Sequence, residues 1–383
     1  MTKVYFLFLL SLLSVGCSTT LPSQATQYFD RCEDKQAIDV LTSIEVKEKD
    51  ILLFDLALLS LGVYSQNEDI TIRHGTRALS NMWTLGDEKR GKASMVSSEA
   101  ARDYKGEPFE KMMAGIYLGA AFFNRADYEN ARASFQKAVL ATETKSEKVY
   151  DNSPLAYFLL AKTLNLLGQN DNAKIALEKA KKYAIALEKI NVDDLPTMQT
   201  IVVVETGQAP LKYRTGPGKS LIDYKRRYSP YLGANLYVDQ TLTSGTKVIE
   251  DLYVHAKENE RAKKETLQAT KGVVRDAATA TAIIAASEAD HSKNARNVAI
   301  VAGLIALANQ SQADVRQWEY LPARLHITWS ALELSTGRHD FALQFLTNSQ
   351  IIDPVVTQSW SDDRVVNQPK IYIKRAKSCY NHS

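Results

Sequence analysis

The sequence predicts an α+β fold, mostly α, in which a helical-repeat half precedes a smaller half with a β-sheet and an Ala-rich helical hairpin. Three observations carry this. Helical hairpins recur between Gly106 and Lys182. A β-branched run, TIVVVETG, opens at Thr200, and period-two segments return near the C-terminus.

The hairpins come first because they organise the rest. GEPFEKMMAGIYLGAAFFNRADYENARASFQKAV carries Leu118, Gly119, Phe122, Tyr128, Ala131, Phe135 and Ala138. SPLAYFLLAKTLNLLGQNDNAKIALEKAKK repeats the pattern 42 residues later with Leu160, Ala161, Leu164, Gly168, Ala173, Leu177 and Ala180. Small residues let paired helices cross closely, and the large ones dock the next pair. That is the tetratricopeptide (TPR) pattern, whose units bury their apolar faces by stacking. Ser153 reads as an N-cap, Pro154 as the first helical residue and Gly168 as the stop. Asp50–Leu85 reads as a degenerate first repeat or cap that lacks the small-residue contacts of the later pairs. The polar span 86–105 reads as connector.

The boundaries follow: 1–16 a signal segment, 17–44 a lipidated tether, 45–190 the TPR-like helical domain and 195–375 an α+β domain. In the second domain, 200–206 reads as a buried strand. Loops and short strands run to about Tyr237, and helix returns from about Gly245 to Gln310, broken near Asp290-His291. LPARLHITWSALEL and GRHDFALQFL, joined by Ser335-Thr336-Gly337, read as a β-hairpin, and PKIYIKRA as a further strand. Strand 200–206 and these C-terminal strands are expected to share one sheet.

The N-terminus is a targeting segment. Lys3 precedes the apolar run Val4–Leu13, which is too short to span a bilayer. Ser14-Val15-Gly16-Cys17 resembles the lipobox of bacterial lipoproteins, with Ser14 where that family usually has Leu; an ordinary secretory signal would share the small-residue cleavage site. The lipobox resemblance implies acylation of Cys17, a stable anchor when two or more chains are attached. In the lipoprotein family that the lipobox resembles, a residue other than Asp at the position of Ser18 favours export onward to the outer membrane, which the resemblance therefore implies here. Ser18–Gln27 is expected to be a mobile polar tether. Loss of Lys3 leaves 46 basic against 44 acidic residues, a charge of +2, which argues against nucleic-acid binding.

Tyr104-Lys105-Gly106-Glu107-Pro108-Phe109-Glu110, VVVETGQAPLK at 202–212 and ADVRQWEYLPARL at 313–325 occur in this order. Together they resemble a family of TPR-containing bacterial lipoproteins of uncharacterised activity. The resemblance spans about Asp50 to Leu346. It implies an envelope location and a helical half followed by an α+β half, and it brings no catalytic residues.

Motifs for chemistry are weak. Gly216-Pro217-Gly218-Lys219-Ser220 ends like a phosphate-binding loop, but Tyr213 stands where the first Gly belongs and Pro217 removes a donor; no nucleotide is expected. The six histidines offer no metal-ligand spacing, although His326 and His339 would meet if their hairpin formed. There is no nucleophile elbow, and Asp193-Asp194 and Asp362-Asp363 read as turn residues. Lys212, Arg214, Lys219, Arg226 and Arg227, interleaved with tyrosines, read as a docking patch for an anionic partner or as a solvated loop. Asn297–Ala308 is too short to cross a bilayer and reads as a buried hairpin or a membrane-touching one.

These readings lead to a non-enzymatic, lipid-anchored scaffold of the bacterial outer membrane, facing the periplasm, with an envelope protein as partner and no cofactor or metal. In the TPR register its partner groove would be lined by Met113, Ile116, Ala120 and Phe123, then Leu155, Phe158, Lys162 and Asn165. The alternative is a groove filled by the chain's own N-terminal segment or β domain. Alternatives are a cell-wall glycan-binding protein or hydrolase using 211–231, and a secretion or pore accessory using the apolar hairpin. Cys32 and Cys379, the two cysteines besides Cys17, are expected to pair in an oxidising compartment or else to stay free or bridge between molecules.

Overall fold

The computed structural model describes residues 21–83, 103–142, 152–215, 221–258, 313–332, 334, 336–347, 356–365, 368–377 and 379. Cys17, residues 84–102, Lys219 and the apolar segments up to Ala308 lie outside the described residues.

The described chain is a mixed α/β structure in three layers. The first layer is helical: α1 (Ser23–Asp30), α2 (Asp34–Ser43), α3 (Ile51–Tyr64), α4 (Glu68–Trp83), α5 (Pro108–Asn124), α6 (Tyr128–Thr142), α7 (Pro154–Leu166) and α8 (Asn170–Tyr183). α3–α4, α5–α6 and α7–α8 are hairpins, each in contact with the next. Their three turns share one geometry. The middle residue is left-handed, at Gln66 (φ 56°), Ala126 (φ 59°) and Gly168 (φ 73°). In each, the residue after it donates to a carbonyl five back, as Asn67 to Gly62 (2.8 Å), Asp127 to Phe122 (3.0 Å) and Gln169 to Leu164 (2.9 Å).

Close crossings follow the small residues. A Cβ on Gly119 would lie 2.5 Å from the Phe135 ring, and one on Gly115 2.8 Å from the Ala138 methyl. Ala131 and Ala138 are fully buried. The first hairpin also has such a contact, contrary to expectation: a Cβ on Gly62 would meet Thr71 Oγ1 at 2.6 Å. Ser153 caps α7 by accepting from the Ala156 N–H at 3.0 Å, with Pro154 at the first position.

The middle layer is a sheet in the order β10-β1-β7-β6, from β1 (Thr200–Thr206), β6 (Lys247–Asp251), β7 (Arg324–Ser330) and β10 (Lys370–Arg375). All seven residues of β1 are buried, because the strand is covered on both faces. Ile201, Val203, Leu325, Ile327, Ile371 and Ile373 join the helical core, whereas Val202, Val204 and Tyr372 face a second core.

That second core is shared with the outer sheet, β5-β4-β8-β9, made of β4 (Tyr231–Val238), β5 (Thr241–Gly245), β8 (Gly337–Thr347) and β9 (Thr357–Arg364). The hairpin β2 (Leu211–Thr215) with β3 (Leu221–Lys225), the short helix α9 (Leu252–Glu258) and 3-10 turns at Glu48–Asp50, Ile185–Leu187 and Val192–Asp194 complete the described elements.

Three expectations are corrected. The tether is helical from Ser23, and Ala25, Phe29, Ala37 and Leu41 are buried because α1 and α2 pack on the core. The 324–330 and 337–347 strands do not pair: β7 joins β1 and β6 in the middle sheet, while β8 joins β4 and β9 outside it. Consequently His326 bonds Thr206 (3.0 Å) and His339 bonds Asp239 (2.7 Å), not each other. Residues 247–251, expected to be helical, form β6 instead. Cys32 and Cys379 are bridged, with Cα atoms 6.1 Å apart.

Candidate functional site

The groove expected along α5 and α7 is occupied by the chain itself. Met113, Ile116, Phe123, Phe158 and Lys162 are fully buried, as is Leu155, with Ala120 nearly so. Phe158 meets Trp329 of β7 with ring centroids 6.1 Å apart, and Lys162 Nζ donates to the Leu195 carbonyl at 2.6 Å. Burial pulls the Lys162 amine down to about 8. Asn165 alone remains half-buried, donating to Asn170 at 3.1 Å. The physical reason is the middle sheet, whose apolar face needs a cover that the helical layer provides.

The anionic-partner patch is likewise dispersed. Lys212 is buried, 2.8 Å from Glu107 and 3.2 Å from the Arg316 carbonyl. Arg214 donates to the Ala313 carbonyl (2.8 Å), Arg226 pairs with Asp251 and Arg227 donates to Gln208 (3.0 Å). These side chains join β2–β3 to its surroundings.

Two buried ionic clusters tie the helical layer to the sheet. In one, Glu205 of β1 accepts from Tyr64 and Tyr117, both at 2.6 Å. Arg375 of β10 donates to the Tyr320 carbonyl, to Gly207 O (2.9 Å), to Leu321 O (3.1 Å) and to Tyr64 Oη (3.2 Å). Burial raises the Glu205 carboxyl, an effect opposed by Arg375 and the two phenols. Burial first, and then the Glu205 charge, push both tyrosines well above 10. They therefore stay phenolic donors.

In the other cluster, Glu110 accepts from Tyr104 Oη (2.5 Å), Glu107 N (2.6 Å) and Trp318 N (2.7 Å). Arg316 binds Asp50 (2.8 Å) and Asp314 (2.7 Å) beneath it. Another buried carboxylate, Glu250, accepts from Ser153 and from Leu155 N (2.9 Å) at the start of α7. These groups are bonded to one another inside the protein, an arrangement that clamps layers together.

Among the described residues a cleft of about 310 Å³ opens at one edge of the middle sheet. The α3–α4 turn and the last turns of α5 wall it on one side, and Ser361 and Asp362 of β9 on the other; β10 from Lys370 to Ile373 is its floor. Asn124, the last residue of α5, closes one end. Its amide donates to Ile371 O and accepts from Ile371 N, each at 2.8 Å. Its own carbonyl receives Lys370 Nζ at 2.7 Å. Tyr372 donates to Asp362, joining floor to wall. No sequence signal marked this site, because it depends on which strand becomes the edge.

Among the described residues no group of three or more His, Cys, Asp and Glu is arranged to hold a metal ion, and no helix is long and apolar enough to cross a membrane. No family model, curated protein or solved structure matches the chain.

Proposed function

We propose that the protein is a scaffold of the bacterial cell envelope, tethered to the outer membrane through a lipidated Cys17 and holding a protein partner on its periplasmic side. The apolar run before Val15-Gly16-Cys17 supports the anchor. Three helical hairpins with a common turn support the TPR-like reading of the helical layer. The observation that carries partner binding is the cleft at the junction of all three layers, open between α3, α5 and β9. Its frame is rigid, since Glu205 and Arg375 lock the neighbouring strands to α3 and α5.

In this reading the partner meets the cleft and not the inner face of the hairpins. A photo-crosslinking side chain placed at Ser361, on the cleft wall, tests it in cells. The same probe at Ile185, 89 % exposed beyond α8, is the control. Crosslinks to one envelope protein from Ser361 and none from Ile185 are expected. Equal labelling from both positions, or none from either, removes the scaffold reading. The anchor is tested separately: the Cys17→Ala protein should lose incorporation of an acyl-chain analogue.

A further inference from the structure

We propose that the cleft takes an extended polypeptide segment of the partner, which adds to the edge of β10 as a fifth strand of the middle sheet. The proposal rests on the scaffold reading and specifies how the partner is held.

The register supplies the main argument. β10 runs parallel to β1, with Ile201 opposite Ile371 and Val203 opposite Ile373. Lys370 N donates to Gln199 O and Ala376 N to Glu205 O, so the even-numbered residues turn their main-chain groups toward β1. In a parallel ladder the N–H and C=O of one residue point the same way. The odd-numbered residues therefore turn both groups outward, into the cleft. At Ile371 these outward groups are paired by the Asn124 amide, which stands where a residue of the next strand would stand. At Ile373, the next outward residue, neither group has a hydrogen-bond partner among the described residues. Unpaired main-chain groups at a sheet edge are a template for another strand, and proteins usually cover them.

The layers supply the second argument. A further strand would lie about 4.8 Å from β10, between a helical layer and an outer sheet about 10 Å away. The cleft occupies that position, with α3 and α5 above and β9 below. The walls also set a preference. On the helical side Ala120 and Ala121 leave room for a small side chain; on the β9 side Ser361 and Asp362 favour a polar or basic one. An extended peptide alternates its side chains between these two walls. Asn124 blocks continuation past Ile371, so the segment ends or turns there.

The test uses the full-length protein with its disulfide intact, and peptides selected from a displayed library of random linear sequences. Expected results are slower hydrogen exchange at the Ile373 amide in the complex and at least about tenfold weaker binding when the central peptide amide is N-methylated. Ala121→Leu, which fills the slot from above, and Ser361→Trp, which fills it from below, should each weaken binding by a similar factor. Their melting temperatures report whether the fold is retained, and the N-methylated peptide leaves the protein untouched. Failure to enrich any peptide overturns the proposal. So does binding that survives both fillings or N-methylation; a partner crosslinked in cells would then still stand, docked by another mode. An Ile373 amide already protected in the free protein also overturns it. Concentration-dependent protection would assign the edge to a second copy, and concentration-independent protection to this chain's own segments.

Discussion

The two faces of β1 are held by different chemistry, although they belong to one seven-residue strand. Toward the helices it turns Ile201, Val203 and Glu205, and the last of these enters an ionic cluster with Tyr64, Tyr117 and Arg375. Toward the outer sheet it turns Val202, Val204 and Thr206, which meet Leu236, Phe341 and Leu343 and one neutral imidazole, His326. The helix-facing contact joins residues from positions 64, 117, 205 and 375, brought together only by the complete fold. A buried ion pair adds little net stability but makes mis-seated docking costly. The apolar face gains from area alone and tolerates sliding, except where Thr206 meets His326.

Breaking the ionic side should cost most. Arg375→Met removes the charge that most favours the buried Glu205 carboxylate, which it reaches through Tyr64. It also leaves the Gly207, Tyr320 and Leu321 carbonyls without their donor, so it should lower stability by about 4 kcal/mol in denaturant unfolding. Adding Glu205→Leu should recover most of the loss. If the double variant is as unstable as the single one, the contacts of the Arg375 guanidinium with the Phe29 and Tyr64 rings and with its carbonyl acceptors matter more than its charge on Glu205.

On the other face the lever is pH. Burial, with a smaller contribution from Arg324, holds His326 down at about 4, against an ordinary 6.5. A depressed folded-state value contributes stability that is present above pH 6.5 and lost as pH falls toward 4, about 3 kcal/mol in all. Glu205 and Glu110 are raised by burial and act with the opposite sign. The comparison must therefore be with His326→Gln, whose amide can still reach Thr206. Its stability should fall less than that of the parent between pH 6.5 and 4; parallel curves would remove His326 as the acid-sensitive group.

A smaller effect is expected from the strap that joins the helical layer to the end of β10. The Cys32–Cys379 bridge closes a loop spanning 347 positions, for which chain entropy allows at most about 6 kcal/mol. Lys377 already holds the same end by donating to Phe29 O at 2.6 Å and standing 3.4 Å from the Phe29 ring centroid. Reduction should therefore cost only about 2 kcal/mol, and more in a Lys377→Met background. Equal losses in the two backgrounds would show that the contacts act independently.

What could be read beforehand divides along the same line. Local patterns survived: Gly119 and Ala131 at a helix crossing, Ser153 and Pro154 opening α7, and the β-branched run of β1. α1 was hidden by its polar residues, although Leu21, Ala25 and Phe29 recur every fourth position and are all buried. The turns at Gln66 and Ala126 lacked the glycine that marked Gly168. Strand partners were legible only in part: β1 shares a sheet with β7 and β10 as expected, but β7 and β8 alternate alike, and nothing local says that they enter different sheets. The expected groove failed for a related reason. Its residues have the right register on α5 and α7, but a register does not reveal whether solvent or a sheet lies opposite. The cleft was invisible because main-chain groups carry no sequence identity.

The smallest expected effect concerns the edge that both faces of the sheet share. Asn124 makes two hydrogen bonds, both 2.8 Å, to the outward groups of Ile371. Next to an open cleft, water can replace part of what Asn124→Ala removes, so the loss should be about 1 kcal/mol and not the larger cost of a dry orphan. The sharper readout is local. Exchange at the Ile371 amide should accelerate in Asn124→Ala and approach that of Ile373, which faces the same cleft without a partner among the described residues. Asn124→Asp keeps an acceptor for the Ile371 N–H but loses the donor to its carbonyl, so it should fall between the two. If Ile371 stays as protected in Asn124→Ala as in the parent, then burial and not the amide guards that residue, and the contrast between the closed and open halves of β10 disappears.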